Sequence, residues 1–396
     1  MLIVKLEYPP LKRRLKLGFV GGGRGALVGE WHAMGVRMSN RWDVVAGALS
    51  SKPDVAQASG RDWLLADERI YDDYRKMAAE EGQRDDGIDA VAICTPNGSH
   101  ADIAEHFMDA GIHIICDKPM TAAWDDAERL VKKAKDSGLY FGVTYTYSFH
   151  SMVRQARAMV ESGMLGTIRQ AHVEYVQEWA AGKADPVTKQ SSWRRDADHA
   201  GRGSATGDIG THAFHLLHFV SLQKITELSA RFHVCGGAAQ MEDTAFMQLT
   251  LENGAPGTLW CTQAAPGNTC GLRLRLYGDQ GGLEWDQENP EYLHFTPIGE
   301  PTRTLHRGHG AGILPDVERL VRLPRGHAEG VPDAWCNLYT EAAIDIEALQ
   351  DGTDLTQGTT LVPDVMDGAR GVYFVEQAAN SAEQNGAWLP CWYEQT

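Results

Sequence analysis

Short apolar runs alternate with longer amphipathic stretches through the first 145 residues of this 396-residue chain. Apolar runs bounded by turn residues are typical of buried strands, and the stretches between them have the apolar spacing of helices. The predicted strands are 15–20, 44–49, 88–94, 112–116 and 140–144, and the predicted helices are one that ends near residue 38 and those at 53–65, 72–81, 99–110 and 121–137. This alternation predicts an α/β domain with a doubly wound parallel (Rossmann) sheet, in which ligands bind at the carboxyl ends of the strands.

From residue 148 onward, longer strand-like runs are joined by short glycine turns, a pattern that is typical of antiparallel hairpins. The predicted strands are 168–177, 227–235, 244–251, 255–263, 271–277, 282–285 and 292–297, and the predicted helices are 150–161, 213–220, 333–350 and 363–384. We therefore expect an α+β domain with a large, mostly antiparallel sheet, one face of which is covered by helices. Residues 299–330 are interpreted as a long loop.

The length predicts two domains, with boundaries at 1–147 (including an N-terminal lead, 1–14) and 148–396. The net charge of −16 disfavours nucleic acid or an anionic membrane as a partner. The seven cysteines form no C-x-x-C pair, which favours a reducing cytoplasm over a disulfide framework. No run approaches the roughly 18 apolar residues that a membrane span needs.

A glycine-rich turn joins the first strand to the first helix. Gly21 and Gly23 match the first two glycines of G-x-G-x-x-G, and either Ala26 or Gly29 could stand at the third position. Glycines allow a close backbone approach to a pyrophosphate, and the helix N-terminus supplies N–H donors and a positive dipole. The turn therefore predicts a dinucleotide site in residues 1–147, although glycine turns alone are common.

Two other strand ends carry polar residues that suit such a site. Ser50, Ser51 and Lys52 follow the second strand, where an acid would bind the ribose of NAD and basic residues would favour NADP. Because no acid is present, NAD and NADP both stay open, and a solvated Lys52 is the alternative. Lys118 lies between the fourth strand and Pro119, where it could polarise a reacting oxygen, although Asp-Lys-Pro is also an ordinary turn.

In the second half, Asp208 and His212 stand four residues apart at the start of a predicted helix, so both project from one helical face. A carboxylate beside an imidazole suits proton transfer near neutral pH. The alternative is an N-cap aspartate and a histidine that is satisfied in the core. A metal site made of Asp208, His212 and His215 is conceivable, but no motif supplies further ligands and none is expected.

The long loop at 177–203 is rich in indole and basic side chains. Indoles stack on sugar rings and arginines hold anionic groups, so the loop could bind a substrate with an anionic group. The alternative is a solvated loop without a binding role. The candidate residues are Trp179, Lys183, Lys189, Trp193, Arg194, Arg195 and His199.

Together these features resemble the Gfo/Idh/MocA family of nicotinamide-dependent sugar and polyol oxidoreductases over essentially the full chain. Each motif is modest, but their joint order and spacing are specific. The motifs are the glycine turn at 21–29, Ala92-Ile93-Cys94-Thr95-Pro96-Asn97 (family A-x-x-T-P-N), Cys116-Asp117-Lys118-Pro119 (C-E/D-K-P), Ser192-Trp193-Arg194 and Gly207-Asp208-Ile209-Gly210-Thr211-His212 (G-D-x-x-x-H). The chain departs from the family in its expanded glycine turn and at 145–148, where many relatives carry an Asn and an Arg.

The resemblance implies that Lys118, Asp208 and His212 are catalytic and share one cleft between the domains. It implies binding of NAD or NADP by Gly21, Gly23, Arg24, Ala26, Ser50, Ser51, Lys52, Thr95, Pro96, Asn97, His100, Asp117, Lys118, Trp193 and Arg194. Substrate binding is assigned to Tyr147, Trp179, Lys183, Arg195 and His212. A carbohydrate or polyol substrate and a homodimer or homotetramer are also expected.

The expected reaction is oxidation of a secondary ring hydroxyl of a sugar, glycoside or polyol, or the reverse reduction of a ketone. His212 would act as the general base, Lys118 would stabilise the developing alkoxide, and Asp208 would orient His212 or bind a neighbouring hydroxyl. One alternative is an NAD-dependent redox glycosidase, which oxidises a glycoside transiently and eliminates the aglycone. Another is a non-catalytic nicotinamide sensor, which the presence of both Lys118 and His212 disfavours.

Overall fold

The computed structural model describes residues 10–182, 201–236, 241–308, 312–355 and 360–394. The chain divides into two compact units. The parallel-sheet unit comprises Pro9–Tyr145 and Trp335–Ala369, and the large-sheet unit comprises Thr146–Ala334 and Arg370–Thr396. Each unit is described by itself.

The parallel-sheet unit confirms the predicted doubly wound sheet. Its five described strands are all parallel and lie in the order β2-β1-β3-β4-β5. The strands are β1 (Leu15–Gly21), β2 (Trp42–Ala48), β3 (Ala90–Cys94), β4 (His113–Cys116) and β5 (Phe141–Val143), and the helices are α1 (Val28–Ser39), α2 (Pro53–Asp62), α3 (Tyr74–Glu81), α4 (His100–Asp109) and α5 (Trp124–Ser137). Helices cover both faces of such a sheet, so its strands are continuous apolar runs.

The register of the central strands concentrates the polar loops at one edge. Gly21 lies opposite Cys94, and Ile93 lies opposite Cys116, so β1, β3 and β4 end at the same level. The glycine turn, the Thr95–Asn97 loop and the Asp117–Pro119 loop therefore emerge side by side at the carboxyl edge of the sheet.

The large-sheet unit confirms the predicted, mostly antiparallel sheet. Its nine described strands lie in the order β13-β12-β11-β10-β6-β9-β8-β7-β14, and only the β6–β9 pair is parallel. The strands are β6 (Ile168–Val176), β7 (Ile225–His233), β8 (Thr244–Leu251), β9 (Pro256–Thr262), β10 (Gly271–Gly278), β11 (Gly281–Asp286), β12 (Tyr292–Pro297), β13 (Arg303–His306) and β14 (Leu389–Pro390). The described helices of the second half are α6 (Ser151–Glu161), α7 (Thr211–Ser221), α8 (Pro315–Glu318), α9 (Val331–Gln350) and α10 (Val365–Glu383).

The core of the large-sheet unit lies between one face of this sheet and helices α6 and α7. On β8 the side chains of Ala245, Met247 and Leu249 are buried, whereas Phe246 and Gln248 are exposed. This alternation is the two-residue period of a strand with one covered face. Helix α7 is buried almost all round, because ten of its eleven residues are shielded from solvent.

The sequence pattern predicts that residues 333–350 form a closing helix of the second domain. In the structure, Trp335–Ala369 belong to the parallel-sheet unit. Trp335 packs on His32 of α1 with ring centroids 4.2 Å apart, and Trp42 Nε1 donates to the carbonyl oxygen of Tyr339 at 2.8 Å. A Cβ on Gly35 would lie 2.7 Å from the Cβ of Trp335, so glycine permits this close approach. The assignment of 148–396 to substrate binding and oligomerisation stays a prediction.

The prediction of an unbroken loop at 299–330 is wrong, because β13 and α8 lie within it. The residues of β13 lack an apolar run, and the strand forms at the sheet edge by pairing with β12. Arg307, only 1% exposed, fixes the following segment by donating to the carboxylates of Glu291 and Glu329. Edge pairing and a buried ion pair are tertiary effects that a local pattern does not reveal.

Among the described residues, no helix combines the length and apolar character needed to cross a membrane.

Candidate active site

The glycine turn of the parallel-sheet unit is built for close backbone approach. Gly21 and Gly22 both have φ of 80°, which favours glycine. A Cβ on Gly21 would lie 2.9 Å from the Cys94 carbonyl oxygen, and one on Gly29 would lie 2.2 Å from Gly22 Cα. Of the two positions that could complete the motif, Gly29 therefore takes the packing role of the third glycine. These contacts hold the turn tightly between β3 and α1, which is the packing that a dinucleotide-binding turn needs.

The middle of the turn is tied to the end of β2. The Gly23 amide donates to the Leu49 carbonyl at 3.1 Å, and the Arg24 amide donates to Ser59 Oγ at 3.0 Å. The Arg24 guanidinium is held by Asp62 through two hydrogen bonds, of 2.6 and 2.8 Å. Arg24 is thus placed beside the strand end where a dinucleotide site would select its ribose, but its charge is already paired.

Ser50, Ser51 and Lys52 lie at that strand end, directly before α2. Ser50 Oγ accepts from the Lys52 amide at 3.1 Å, and Ser51 and Lys52 are exposed. No acidic side chain stands among these three residues, as expected from the sequence.

The loop after β3 is braced against the loop after β4 by His100. This side chain is 1% exposed, and its Nε2 and Nδ1 lie 2.7 Å from the Thr95 carbonyl and 3.1 Å from the Pro119 carbonyl. Burial lowers the pKa of His100. Because both ring nitrogens face backbone carbonyls, this geometry supports a positioning role, and direct contact of His100 with a cofactor stays a prediction.

Lys118 follows an aspartate that is held in one orientation. Asp117 Oδ1 accepts from the Lys118 amide at 2.9 Å and from Thr144 Oγ1 at 2.7 Å. Burial alone would raise the pKa of Asp117, but His32, Lys118 and Thr144 together hold it well below its usual range. Asp117 is therefore ionised, and Lys118 lies beside a fixed negative charge before a cis Lys118–Pro119 peptide bond.

In the large-sheet unit, Asp208 lies within a π-helical turn, Thr206–Gly210, that leads into α7. Such turns are frequent at functional sites. Asp208 Oδ2 accepts from Gln263 Nε2 at 3.0 Å. His212, on the first turn of α7, is 8% exposed. The position of Asp208 inside this turn, rather than at the helix start, was not expected from the sequence.

Tyr147 and Tyr175 flank His212. Their rings lie 4.7 and 6.1 Å from the imidazole, and their hydroxyls are 2.7 Å apart. Cys270 Sγ lies 3.3 Å from the Tyr175 hydroxyl. Burial, together with the neighbouring Cys270, raises the pKa of Tyr147, so its hydroxyl stays protonated. The structure thus brings Tyr147, a predicted substrate-binding residue, together with His212.

The adjacent residues Glu242 and Asp243 hold the segment that carries Asp208 and the neighbouring Gln263. The Glu242 carboxylate accepts from the amides of Ser204 at 2.7 Å and of Thr206 at 2.9 Å. The next residue, Asp243, accepts from the Gln263 amide at 2.8 Å through its carbonyl. Sequence reasoning missed Gln263 and Glu242. The available signals were a polar residue at the end of predicted strand 255–263 and an acidic pair directly before predicted strand 244–251.

Part of the predicted substrate and cofactor set lies outside the described residues: Lys183, Lys189, Trp193, Arg194, Arg195 and His199. Trp179 is described, and its Nε1 donates to Gln177 Oε1 at 3.0 Å.

In the part of the chain that the structure describes, no three His, Cys, Asp or Glu side chains are grouped so that they could hold a metal ion. His215 packs instead between neighbouring rings, 5.1 Å from His218 and 5.5 Å from Phe219.

Two family models match the chain. One, described as an oxidoreductase family with an NAD-binding Rossmann fold, matches residues 15–145. The other, the GFO/IDH/MocA C-terminal domain, matches residues 153–284.

Known proteins match over nearly the whole length. The Bacillus subtilis oxidoreductase YfiI is 34% identical over 387 residues, which cover 96% of this chain and 97% of YfiI. A Sinorhizobium meliloti oxidoreductase structure has 42% identity and a TM-score of 0.85, covering 96% of this chain and 100% of that one. An inositol dehydrogenase homolog from Azotobacter vinelandii, solved with NADH and myo-inositol, has 32% identity and a TM-score of 0.89, covering 96% of this chain and 98% of that one.

Replacing Gln263 by glutamate is expected to slow turnover by roughly tenfold or more. A positioned acid–base group contributes a factor of about 10²–10⁴ to the rate, and this variant should lose part of it. The substitution is nearly isosteric, but it places a second carboxylate against Asp208, and two carboxylates this close disfavour ionisation of both. Steady-state kcat measures the effect. Gln248→Glu, on the exposed side of β8, is the control and should behave as the wild type. Equal kcat in both variants would remove Gln263 from the site.

Glu242 predicts a pH dependence of stability. Burial raises its pKa from 4.5 to about 7. Between these two pH values Glu242 is ionised in the unfolded chain but still protonated in the folded protein. The stability that this residue contributes to the folded protein is therefore lost as pH rises. Relative to the wild type, the unfolding free energy of Glu242→Gln should therefore increase by roughly 3 kcal/mol across this window. Denaturant unfolding at a series of pH values measures the difference, which should stay flat for Glu227→Gln on the exposed side of β7. A flat difference for Glu242→Gln contradicts the raised pKa.

Proposed function

Because the chain belongs to the Gfo/Idh/MocA family of oxidoreductases with an NAD-binding Rossmann domain, we propose that it oxidises a secondary ring hydroxyl of a sugar or cyclic polyol, or reduces the corresponding ketone. The observation that carries the proposal is the cluster of His212, Asp208, Gln263 and the two tyrosines in the large-sheet unit. A base beside several hydroxyl donors suits a polyhydroxylated substrate. The Azotobacter vinelandii relative with bound myo-inositol supports a cyclic polyol.

A nicotinamide dinucleotide bound at the glycine turn supplies the hydride acceptor. His212 removes the proton from the reacting hydroxyl, and the Asp208 carboxylate orients His212 or binds a neighbouring hydroxyl. The Lys118 ammonium donates a hydrogen bond to the same substrate oxygen and stabilises its developing negative charge. The tyrosine hydroxyls of Tyr147 and Tyr175 stay protonated and hold other substrate hydroxyls.

The proposed cofactor preference is NAD over NADP. Arg24 lies in the glycine turn beside the end of β2, but its guanidinium is paired with Asp62 through two hydrogen bonds. A 2′-phosphate would have to displace that carboxylate, and Lys52 alone would remain to bind it. The NADH in the Azotobacter vinelandii relative agrees with this preference.

A cytoplasmic location and a homo-oligomer also belong to the proposal. All seven cysteines are free, which suits a reducing compartment. On the outer face of the nine-stranded sheet, Phe246 is 51% and Tyr277 is 42% exposed. Exposed aromatic side chains on a broad sheet suit contact with a second copy of the chain.

The proposal predicts steady production of NADH when the purified protein is mixed with NAD and myo-inositol or a related cyclic polyol. Absorbance at 340 nm against a panel of sugars, polyols and glycosides, neutral and acidic, measures the reaction. Free aglycone is followed in parallel. Aglycone release with a flat absorbance trace would instead indicate a redox glycosidase, and no reaction with any member of the panel would contradict the proposed substrate class.

The proposed cofactor preference predicts that Asp62→Asn will improve NADP binding relative to NAD by about fivefold, the modest effect expected of an exposed ion pair. The substitution frees the Arg24 guanidinium for a 2′-phosphate. Asp67→Asn, which removes the exposed partner of Arg61 at 3.6 Å, is the matched control. Fluorescence titration of both variants with the two cofactors measures the ratio. A wild-type protein that already prefers NADP would contradict this account.

A further inference from the structure

His32 is a fully buried histidine in α1, the helix that begins directly after the glycine turn, and the proposed reaction does not use it. Its side chain is 0% exposed. Its Nδ1 lies 2.6 Å from the Tyr339 hydroxyl, and its ring packs on Trp335 with centroids 4.2 Å apart. All of these residues belong to the parallel-sheet unit. The Tyr339 hydroxyl therefore satisfies one of the two buried ring nitrogens.

The second ring nitrogen of His32 faces the loop after β4, which carries Asp117 and Lys118. Nε2 is buried and makes no hydrogen bond, and it lies 3.9 Å from Asp117 Oδ1. When the Tyr339 hydroxyl donates to Nδ1, the proton of the neutral ring is on Nε2 and faces the carboxylate. The opposite tautomer would place a lone pair against a buried negative charge, which is unfavourable. Tyr339 therefore selects the tautomer whose N–H dipole stabilises ionised Asp117.

Asp117 is the link between His32 and Lys118. Its Oδ1 atom already accepts from the Lys118 amide and from Thr144 Oγ1, so the carboxylate fixes the backbone from which the lysine side chain projects. The other ionisable groups that interact with this carboxylate are Cys94 on β3, Cys116 on β4, His100 on α4, Lys118 itself and Tyr339 on α9. Of these, Lys118 is the group that the carboxylate positions through its backbone amide.

We propose that the Tyr339–His32 pair is a positioning device that keeps Asp117 ionised and correctly oriented, and thereby holds Lys118 ready to bind the substrate oxygen. Its catalytic consequence rests on the proposed function, because it assumes that Lys118 contacts the substrate. The link from His32 to Asp117 does not depend on that assumption. The device also explains why Trp335–Ala369 is associated with the parallel sheet, since it brings Tyr339 to α1.

The test compares His32→Phe, which keeps an aromatic ring but removes both nitrogens, with His32→Gln, which keeps a polar group that can donate. Tyr339→Phe removes only the hydroxyl that selects the tautomer. The control is His113→Phe, because His113 is a buried histidine on β4 of the same unit whose Nδ1 accepts from the Tyr140 amide. Thermal unfolding of each variant identifies any that fails to fold.

The first readout does not require activity. In protein labelled with ¹³C at aspartate carboxyls, the Asp117 signal is identified by its loss in Asp117→Asn and is followed as pH falls. Wild-type Asp117 should stay ionised to the lowest pH at which the protein is folded. In His32→Phe its pKa should rise by about one unit or more, the usual effect of losing a stabilising partner this close. Tyr339→Phe and His32→Gln should give smaller rises, and His113→Phe should give none.

The second readout is kcat at the pH optimum. Because the account requires Asp117 to be correctly oriented as well as ionised, kcat should fall in His32→Phe, with KM little changed. An Asp117 titration in His32→Phe that matches the wild type overturns the proposal, as does an equal rise in His113→Phe. A rise without any change in kcat would keep the link to Asp117 but contradict the role of Lys118. Absence of turnover in the wild type contradicts the proposed function alone.

Discussion

The register of three neighbouring parallel strands is the constraint on which the candidate cofactor site depends. Because Gly21, Cys94 and Cys116 end their strands at the same level, three loops that are far apart in sequence emerge at one edge of the sheet. The hydrogen bonds between the strands fix the relative positions of the three loops, independently of the loop side chains. His100 then joins the second loop to the third, and the close contact of Gly22 with Gly29 keeps the first loop narrow.

The large-sheet unit positions its candidate acid–base residues differently. Asp208 and His212 lie on a helix rather than on a strand end, and buried polar contacts hold the π-helical turn where this helix begins. Glu242 binds two of the amides before the turn, and Gln263 binds the Asp208 carboxylate from the end of β9. These buried polar contacts specify one conformation of the turn, and a partly satisfied network would be destabilising. The chain therefore uses two kinds of scaffold, a strand edge and a braced helix turn, for one proposed reaction.

The sequence was sufficient to predict both sheets and the candidate catalytic residues, because apolar periodicity and motif order are local features. Lys118, Asp208 and His212 were identified by the residue types around them. Gln263, Tyr175 and His32 were not, since each acts through a partner more than 20 residues away and lies in an ordinary strand or helix pattern. Strand β13 was missed for a related reason: its residues form a strand only because β12 offers an edge.

The central proposal is that Lys118 and His212 serve the same step on the same substrate oxygen. Once a substrate has been identified, a double-mutant cycle tests this proposal. The cycle compares kcat of the wild type, Lys118→Met, His212→Asn and the double variant. We expect each single substitution to lower kcat by about 10²-fold or more, and the double variant to be little slower than the slower single one, because residues that act as a unit are not additive. Losses that multiply would show that the two residues act independently, and wild-type turnover in either single variant would contradict the account.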